Sequence, residues 1–286
     1  MAFLGGDNKA GVAEIITLCE YLLARPEIEH GLIKVAVTPD KEIGRGTEHF
    51  DLVSFGADYA YTLDGGLLSS GVQSETFNGA DAAVTIQGTD AYLGSAKNQM
   101  QNAALIAAEF TAMLPPMETP AYTDGYEGFY HVGAVDGSAG QASLSVMIRD
   151  HDTQSFEARK AMVQTIADYL NGRYGAGTVQ VDMEDTQYNM KEMMAGHQNV
   201  IDRALQAMQD IGYQPAATPD RGNSEGAELS FKGLPCPNLP SGTANKHSIY
   251  ECVSVDQMTD MMKLLAHLVY VEETVEVPQD SASSEE

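Results

Sequence analysis

Apolar residues follow two different spacings along the chain, and each spacing predicts a different kind of element. In "AGVAEIITLCEYLLA" they recur every three or four residues and stop before Pro26, which predicts an amphipathic helix. The mostly apolar run "GLIKVAVTP" predicts a buried strand, and "ADYAYTLDGG" predicts a second strand that ends at two glycines. Because strands and helices alternate here, the sequence predicts an α/β fold with a largely parallel sheet.

Residues 78–187 show another order of elements. The patterns predict strand, long helix, two strands around a glycine-rich turn, a helix that Thr153 could cap, and a half-buried strand: "DAAVTIQG", "SAKNQMQNAALIAAEFTAML", "GFYHVGAVDG", "QASLSVMIRD", "TQSFEARKAMVQTIADYLNGRY" and "GTVQVDMED". This β-α-β-β-α-β order is typical of a ferredoxin-like domain. Helical patterns resume afterwards, so we expect 78–187 to be inserted into a domain made of 1–77 and 188–275. The acidic end, 276–286, is predicted to be disordered.

Charge and apolar content exclude some classes of function. The 286 residues carry a net charge of −25, which argues against binding to nucleic-acid backbones or anionic membranes. It favours either solubility or cationic partners, and a solvated acidic surface is the simpler explanation. The longest apolar runs are too short to cross a membrane, and the first residues do not resemble a signal peptide. Three cysteines far apart are typical of free thiols. We therefore expect a cytoplasmic location, or export by another route.

Three acids and one histidine stand where predicted strands or helices begin or end. Asp7 precedes the first helix, Glu42 follows the first strand, Asp64 ends the second strand, and His247 lies near the C-terminal helix. Metal ligands often gather at such positions in α/β folds. Spacing alone is weak evidence, because each acid taken singly is better explained as a helix cap or a surface charge.

Longer stretches carry a more specific signal, and together they resemble the peptidase T family, the two-zinc tripeptide aminopeptidases among the M20 metallopeptidases. The resemblance runs from about residue 4 to 270 and rests on "GGDNKAGVAEI", "TPDKEIGRGTEHFD", "FGADYAYTLDGG", "GSAKNQMQNAALIAAEF", "TDGYEGFYHV", "IRDHD", "FEARKAM", "YNMKE", "LSFKGLPCPN" and "HSIYECVSV". It implies an M20-type catalytic domain, here lacking its N-terminal part, with an inserted ferredoxin-like lid or dimerisation domain.

The resemblance also implies a metal centre that is incomplete in this chain. Asp7 matches the bridging ligand, and Glu42, Asp64 and His247 match three further zinc ligands. The fifth ligand of the family is the histidine of an H-x-D motif far upstream of the position of Asp7. Only six residues precede Asp7, so this histidine has no counterpart in the sequence. We therefore expect zinc to be bound weakly or not at all.

Lys41 occupies the position of the family's general base, which is the first glutamate of its "PDEE" motif. An ammonium group cannot accept a proton from metal-bound water. Its charge also opposes a nearby cation by roughly 4 kcal/mol per unit-charge pair at about 4 Å and a dielectric near 20. We expect Lys41 to form a salt bridge with Asp40, Glu42 or Asp7. Activity would require burial to lower the pKa of Lys41.

The residues that match the family's substrate contacts are only partly kept. Arg149 in "IRDHD", Asn189 in "YNMKE" and Arg221 in "RGNSEGA" match them, whereas Tyr92 and Leu93 replace the family's "HP" pair in the inserted domain. Arg149 could equally be held by Asp150 or Asp152.

Two functional hypotheses follow. In the first, the chain has lost peptide hydrolysis and is a non-catalytic, self-assembling structural or interaction component. Its partner would be copies of itself, as a homo-oligomer or filament, or a separate chain that completes the catalytic sheet. In the second, it is a dinuclear zinc tripeptide aminopeptidase whose missing ligand comes from another chain or from an absent N-terminal segment.

Overall fold

A computed structural model describes residues 5–214 and 216–270 of the protein, so the predicted acidic tail lies outside the described residues. The elements of this part follow in chain order. The helices are α1 (Lys9–Leu23), α2 (Leu52–Phe55), α3 (Ala103–Met113), α4 (Thr153–Tyr174), α5 (Lys191–Met194), α6 (Gln198–Asp210), α7 (Glu225–Phe231) and α8 (Val255–Val269). The strands are β1 (Thr62–Leu63), β2 (Val72–Glu75), β3 (Asn78–Gln87), β4 (Phe129–Gly137), β5 (Gln141–Asp150), β6 (Val179–Gln187), β7 (Ala217–Pro219), β8 (Asn238–Leu239), β9 (Thr243–Ala244) and β10 (Cys252–Val253). Within these residues, no helix is long and apolar enough to cross a membrane.

Strands β3 to β6 and helices α3 and α4 form the predicted ferredoxin-like unit. Its sheet has the order β4-β5-β3-β6 with every pair antiparallel, which is the topology that the β-α-β-β-α-β order implies. Both helices pack on the sheet around one apolar core that includes Ile86, Phe110, Phe156 and Leu170. The alternating inward residues of β3 and β5 account for this, because one face of each strand is buried.

Two local predictions in this unit are wrong. The helix predicted over "SAKNQMQNAALIAAEFTAML" begins only at Ala103, because Asn102 caps it by accepting a hydrogen bond from the amide of Leu105 at 3.3 Å. The cap of α4 is Asp152 rather than Thr153, and its carboxylate accepts from the amide of Ser155 at 2.7 Å.

The remaining elements form a second unit with its own core, and its sheet differs from the prediction. The sheet order is β1-β8-β2-β7, in which β1–β8 and β2–β7 are parallel but β2–β8 is antiparallel. The sheet is therefore mixed and made of short strands, and "ADYAYTLDGG" contributes only Thr62–Leu63 to it. Helices α1, α6 and α8 pack together beside it around Leu18, Met208 and Leu264.

The prediction of a buried strand over "GLIKVAVTP" is also wrong. The segment 31–37 has no regular secondary structure and is largely exposed, with Leu32 at 87% exposure, and no strand of the described residues pairs with it. Lys34 holds it to the end of α2 by donating to the carbonyl oxygen of Gly56 at 2.7 Å. An apolar run becomes a strand only where a neighbouring strand can pair with its backbone.

Glu14 on α1 is a fully buried carboxyl group, and neither oxygen has a hydrogen-bond partner among the described residues. Burial raises its pKa to about 8, so it is protonated in the neutral folded protein. Because the unfolded chain releases this proton near the ordinary glutamate pKa, the free energy of unfolding should fall as pH rises from about 4.5 toward 8.

Glu14→Gln should remove this component of the pH dependence and raise the free energy of unfolding at pH 7 by roughly 3 kcal/mol. Urea unfolding at pH 5 and pH 8 measures the effect. Glu20→Gln, an exposed change on the same helix, is the matched control. Equal pH slopes in the Glu14→Gln variant and the unmodified protein would contradict the prediction.

Candidate functional site

The four predicted metal ligands lie on loops at element ends. Asp7 precedes α1, whose first turn is capped by Asn8. Glu42 lies in a short 3-10 helix, Lys41–Ile43, and Asp64 directly follows β1. His247 lies on the loop between β9 and β10, where its backbone amide donates to Glu251 at 2.9 Å.

Three of these four residues converge closely. Asp7, Glu42 and His247 each offer a ligand atom, and these atoms lie within 4.8 Å of one another. The Nε2 atom of His247 is 3.1 Å from Asp7 Oδ2 and 3.5 Å from Glu42 Oε2. Asp64 is linked to Asp7 by lysine ammonium groups that contact both carboxyl groups. The sequence therefore predicted the convergence, although not what stands between the ligands.

Lys41 lies inside the group of carboxylates. Its Nζ atom is 2.9 Å from Asp64 Oδ2, 3.2 Å from Glu42 Oε1 and 3.9 Å from Asp7 Oδ1. The expected salt bridges to Glu42 and Asp7 are present, and Asp64 rather than Asp40 is the third partner. Burial acts to lower the pKa of Lys41, but the hydrogen bond to Asp64 and the charges of Asp64 and Asp7 outweigh it and raise the pKa. Lys41 is therefore a permanent cation.

A second ammonium group, from Lys246, completes the centre and was missed from the sequence. Its Nζ atom is 3.1 Å from Asp64 Oδ1 and 3.3 Å from Asp7 Oδ1, and it also donates to the carbonyl oxygen of Asp64. The available signal was a lysine next to a predicted ligand, in "NKHSIYE". The side chain of a lysine next to His247 can point away from the site or contact its acidic groups. Here the ammonium group contacts the acidic groups and offsets their negative charge.

In this centre, two acidic side chains and two ammonium groups contact one another. Asp7, with its side chain only 3% exposed, and Asp64 each contact both ammonium groups. Burial acts to raise the pKa of Asp7, yet a hydrogen bond from the protonated form of Asp64, whose own pKa is raised by burial, and the charges of Lys246 and Lys41 keep the pKa of Asp7 below its usual value. Buried carboxylates must be paired, and here two lysines supply the positive charge.

Two zinc ions do not fit among these residues as they are arranged. The ammonium groups of Lys41 and Lys246 occupy the contacts to Asp7 and Asp64 that a bridging pair of ions would need. Asp7, Glu42 and His247 could still offer three ligand atoms to a single ion. Such an ion would lie close to the charge of Lys41, which is 3.2 Å from Glu42.

The first residue predicted to contact substrate, Arg149, is mostly buried in the sheet of the ferredoxin-like unit. Its guanidinium donates to Asp81 Oδ1 at 3.2 Å. The alternative of a pairing with Asp150 or Asp152 is wrong: Asp150 accepts from Arg159 at 2.7 Å, and Asp152 caps α4. A guanidinium this buried needs a carboxylate at contact distance, and the facing strand β3 supplies it.

The other two predicted substrate residues lie where the two units meet. Asn189 donates to the carbonyl oxygen of His151 at 3.1 Å and accepts from the amide of Thr76 at 3.2 Å. Arg221 donates to the carbonyl oxygen of Glu127 at 2.8 Å. These contacts join the ferredoxin-like unit to the chain before and after it.

The cleft at the charged centre has a volume of about 210 Å³ and does not include those three residues. The residues lining it include both lysines, Asp7, Asp64, Asp220, Asn223 and His247. Asp220, which sequence analysis did not single out, brings a further carboxyl group, and burial raises its pKa. Tyr92 and Leu93, at the position of the family's "HP" pair, are strongly exposed at the start of a short 3-10 helix.

Comparison with known proteins first identifies the class of fold. Residues 74–178 match the peptidase dimerisation domain of the M20 family. The structure of a tripeptidase from Staphylococcus aureus has a TM-score of 0.81 at 19% identity and covers 93% of this chain and 70% of that one. A dinuclear metal-binding M20 peptidase from Bacillus subtilis has a TM-score of 0.63 at 14% identity, over 91% of this chain and 70% of that one. Both likenesses show the M20 peptidase fold.

Sequence identity then shows which M20 peptidases this chain resembles in sequence. Peptidase T of Bacillus licheniformis is 47% identical over 266 residues, which are 93% of this chain and 65% of that protein. The chain is therefore a peptidase T-like protein of the M20 family, which confirms the resemblance. It spans about two-thirds of the length of its curated relatives.

Proposed function

We propose that this peptidase T-like chain has lost peptide hydrolysis and acts as a non-catalytic structural or interaction component that assembles with copies of itself. The observation that carries the proposal is the pair of ammonium groups bound to Asp7 and Asp64. A peptidase site must hold a metal and a proton acceptor, and Lys41 stands at the acceptor's position as a cation.

Self-assembly is supported by two separate features. The matched segment 74–178 is a dimerisation domain in other M20 proteins. In addition, exposed apolar residues such as Leu32 and Val53 flank the contact between Lys34 and Gly56. A homo-oligomer would cover such residues, and an open filament is the form expected if the contact does not close on itself. We also propose 1–77 with 188–275, and 78–187, as the two domains.

Purified protein should not hydrolyse a simple tripeptide such as trialanine, with or without added zinc. Loss of the proton acceptor alone commonly reduces the rate of such a reaction by about 10² to 10⁴. Loss of the metal centre should reduce the rate of peptide hydrolysis further. Peptidase T of Bacillus licheniformis, assayed in parallel, is the positive control. Zinc-dependent turnover by this chain would contradict the proposal.

Lys41→Glu alone should not restore turnover. Lys246 would still hold Asp7 and Asp64. Recovery of activity in this single variant would show that another group completes the centre.

The alternative function is a dinuclear zinc tripeptide aminopeptidase completed by another chain or by an N-terminal segment. The convergence of Asp7, Glu42 and His247 within 4.8 Å supports it. In that case the lysines would have to leave the carboxylates when the missing ligand arrives. Zinc-dependent turnover that appears only when the protein is mixed with an N-terminal fragment of a peptidase T would favour this alternative.

A further inference from the structure

A groove with a volume of about 520 Å³ lies beside the charged centre, between helix α7, the loop around residues 44–48 and the end of β6. Its volume falls in the range of small-molecule and peptide sites and exceeds what a single ion needs. The residues lining it include Gly44, Thr47, Glu48, Tyr188, Glu228 and Phe231. Neither lysine of the charged centre lines the groove.

Two aromatic rings form exposed walls of the groove. Tyr188 is 52% exposed and Phe231 is 44% exposed, and their ring centroids are 5.9 Å apart at an interplanar angle of 60°. Tyr188 follows β6, whereas Phe231 is the last residue of α7, so the rings come from the two sides of the groove. Aromatic faces attract cations within about 6 Å of the ring centroid.

Glu228 provides a negative charge next to these rings. It lies three residues before Phe231 on α7, so both side chains are on one face of the helix. Thr47 donates a hydrogen bond to its carboxylate, and Asn223 donates another at 3.3 Å. Within residues 5–214 and 216–270, no basic side chain forms an ion pair with Glu228.

Glu48 and Lys232 are the other charged side chains that line the groove, and of the two only Glu48 has an ion pair among the described residues. Glu48 accepts from Arg45 at 2.6 Å, and Lys232 donates to the carbonyl oxygen of Thr47. Glu228 is thus a carboxylate held in place by neutral donors beside two exposed rings. A cation on an apolar stem fits this combination, because the stem lies along the rings while the charge meets the carboxylate.

We propose that this groove binds a basic side chain, lysine or arginine, carried on a short peptide. The inference builds on the proposed non-catalytic role and gives the chemistry of its partner. The net charge of −25 favours the approach of such a peptide, and the groove supplies the specific contacts.

The test uses the full chain in the presence of EDTA and two peptides blocked at both ends. N-acetyl-Ala-Lys-Ala-amide carries the ammonium group, and the same peptide with norleucine in place of lysine lacks it. Isothermal titration calorimetry should show at least about tenfold tighter binding of the lysine peptide. Its advantage should shrink as salt is raised.

Glu228→Gln should abolish the difference between the two peptides, while Phe231→Ala should weaken the binding of both. Glu20→Gln, which changes net charge equally on an exposed face of α1, should leave the difference unchanged. If Glu228→Gln does not fold, Glu228→Asp keeps the charge but shortens the side chain, and it should reduce the preference for lysine.

Several results would overturn the inference: equal affinity for both peptides, binding of neither, or an equal loss in Glu20→Gln and Glu228→Gln. The outcome is separate from the proposed loss of hydrolysis, because the blocked peptides have no free amino terminus for an aminopeptidase. Failure to bind them leaves the tripeptide result standing. Turnover of trialanine would leave the preference for the lysine peptide standing.

Discussion

Removing both ammonium groups from the charged centre, in a Lys41→Ala/Lys246→Ala variant, should raise the affinity for zinc by at least about a hundredfold. At about 4 Å and an effective dielectric near 20, each unit charge opposes a nearby cation by roughly 4 kcal/mol. Solvent screens the repulsion between the ammonium groups and the zinc ion at this partly open site. We therefore expect a gain in zinc affinity well below the one that unscreened charges would give. The variant also frees Asp7 and Asp64 to act as ligands.

Competition with a zinc-binding dye measures this affinity. Lys41→Ala alone should give a smaller gain, because Lys246 still contacts both aspartates. Lys97→Ala is the matched control, since Lys97 is exposed and makes no ion pair within the described part of the chain. Thermal unfolding checks that the double variant is folded. An unchanged affinity in a folded double variant would mean that the ligands are misplaced rather than blocked.

The purified chain should assemble into dimers or larger species at micromolar concentration. Leaving about 500 Å² of apolar surface in water forgoes roughly 12 kcal/mol at about 25 cal/mol per Å², which is comparable with the stability of a whole domain. Leu32 and Val53, at 87% and 92% exposure, lie on the two segments that Lys34 joins. Covering these side chains should therefore stabilise an oligomer.

Sedimentation velocity at low and high salt measures this assembly. Assembly should strengthen with salt, because screening reduces the repulsion between chains that each carry a charge of −25. Leu32→Ser/Val53→Ser should weaken it. Loss of assembly in Leu105→Ser instead would place the contact on the ferredoxin-like unit, whose helix α3 exposes Leu105. A stable monomer at every salt concentration would contradict the prediction.

The ferredoxin-like unit could be predicted from the sequence because its information is local. Strands β3 and β5 alternate between buried and exposed residues, and each strand pairs with another strand of the same unit. The segment "GLIKVAVTP" has an equally clear apolar pattern, yet the described residues contain no strand to pair with it. Its apolar pattern predicts burial but contains no information about whether a pairing strand is present.

At the site, the motif positions of Asp7, Glu42 and His247 were enough to predict that they converge. The role of Lys246 was not predictable in the same way, because its partner Asp64 lies 182 residues away along the chain. The carboxylate partner of Arg149 was predicted wrongly for a related reason. A motif indicates which side chain is present, while its partner Asp81 comes from a neighbouring strand 68 residues away.

Zinc content of the unmodified protein tests most directly whether two ammonium groups stand in place of a metal pair. The protein is incubated with excess zinc, dialysed against buffer and analysed by inductively coupled plasma mass spectrometry. With Lys41 and Lys246 bound to Asp7 and Asp64, the content should be well below one zinc ion per chain. Two zinc ions per chain would contradict the ammonium-filled centre and favour a working peptidase.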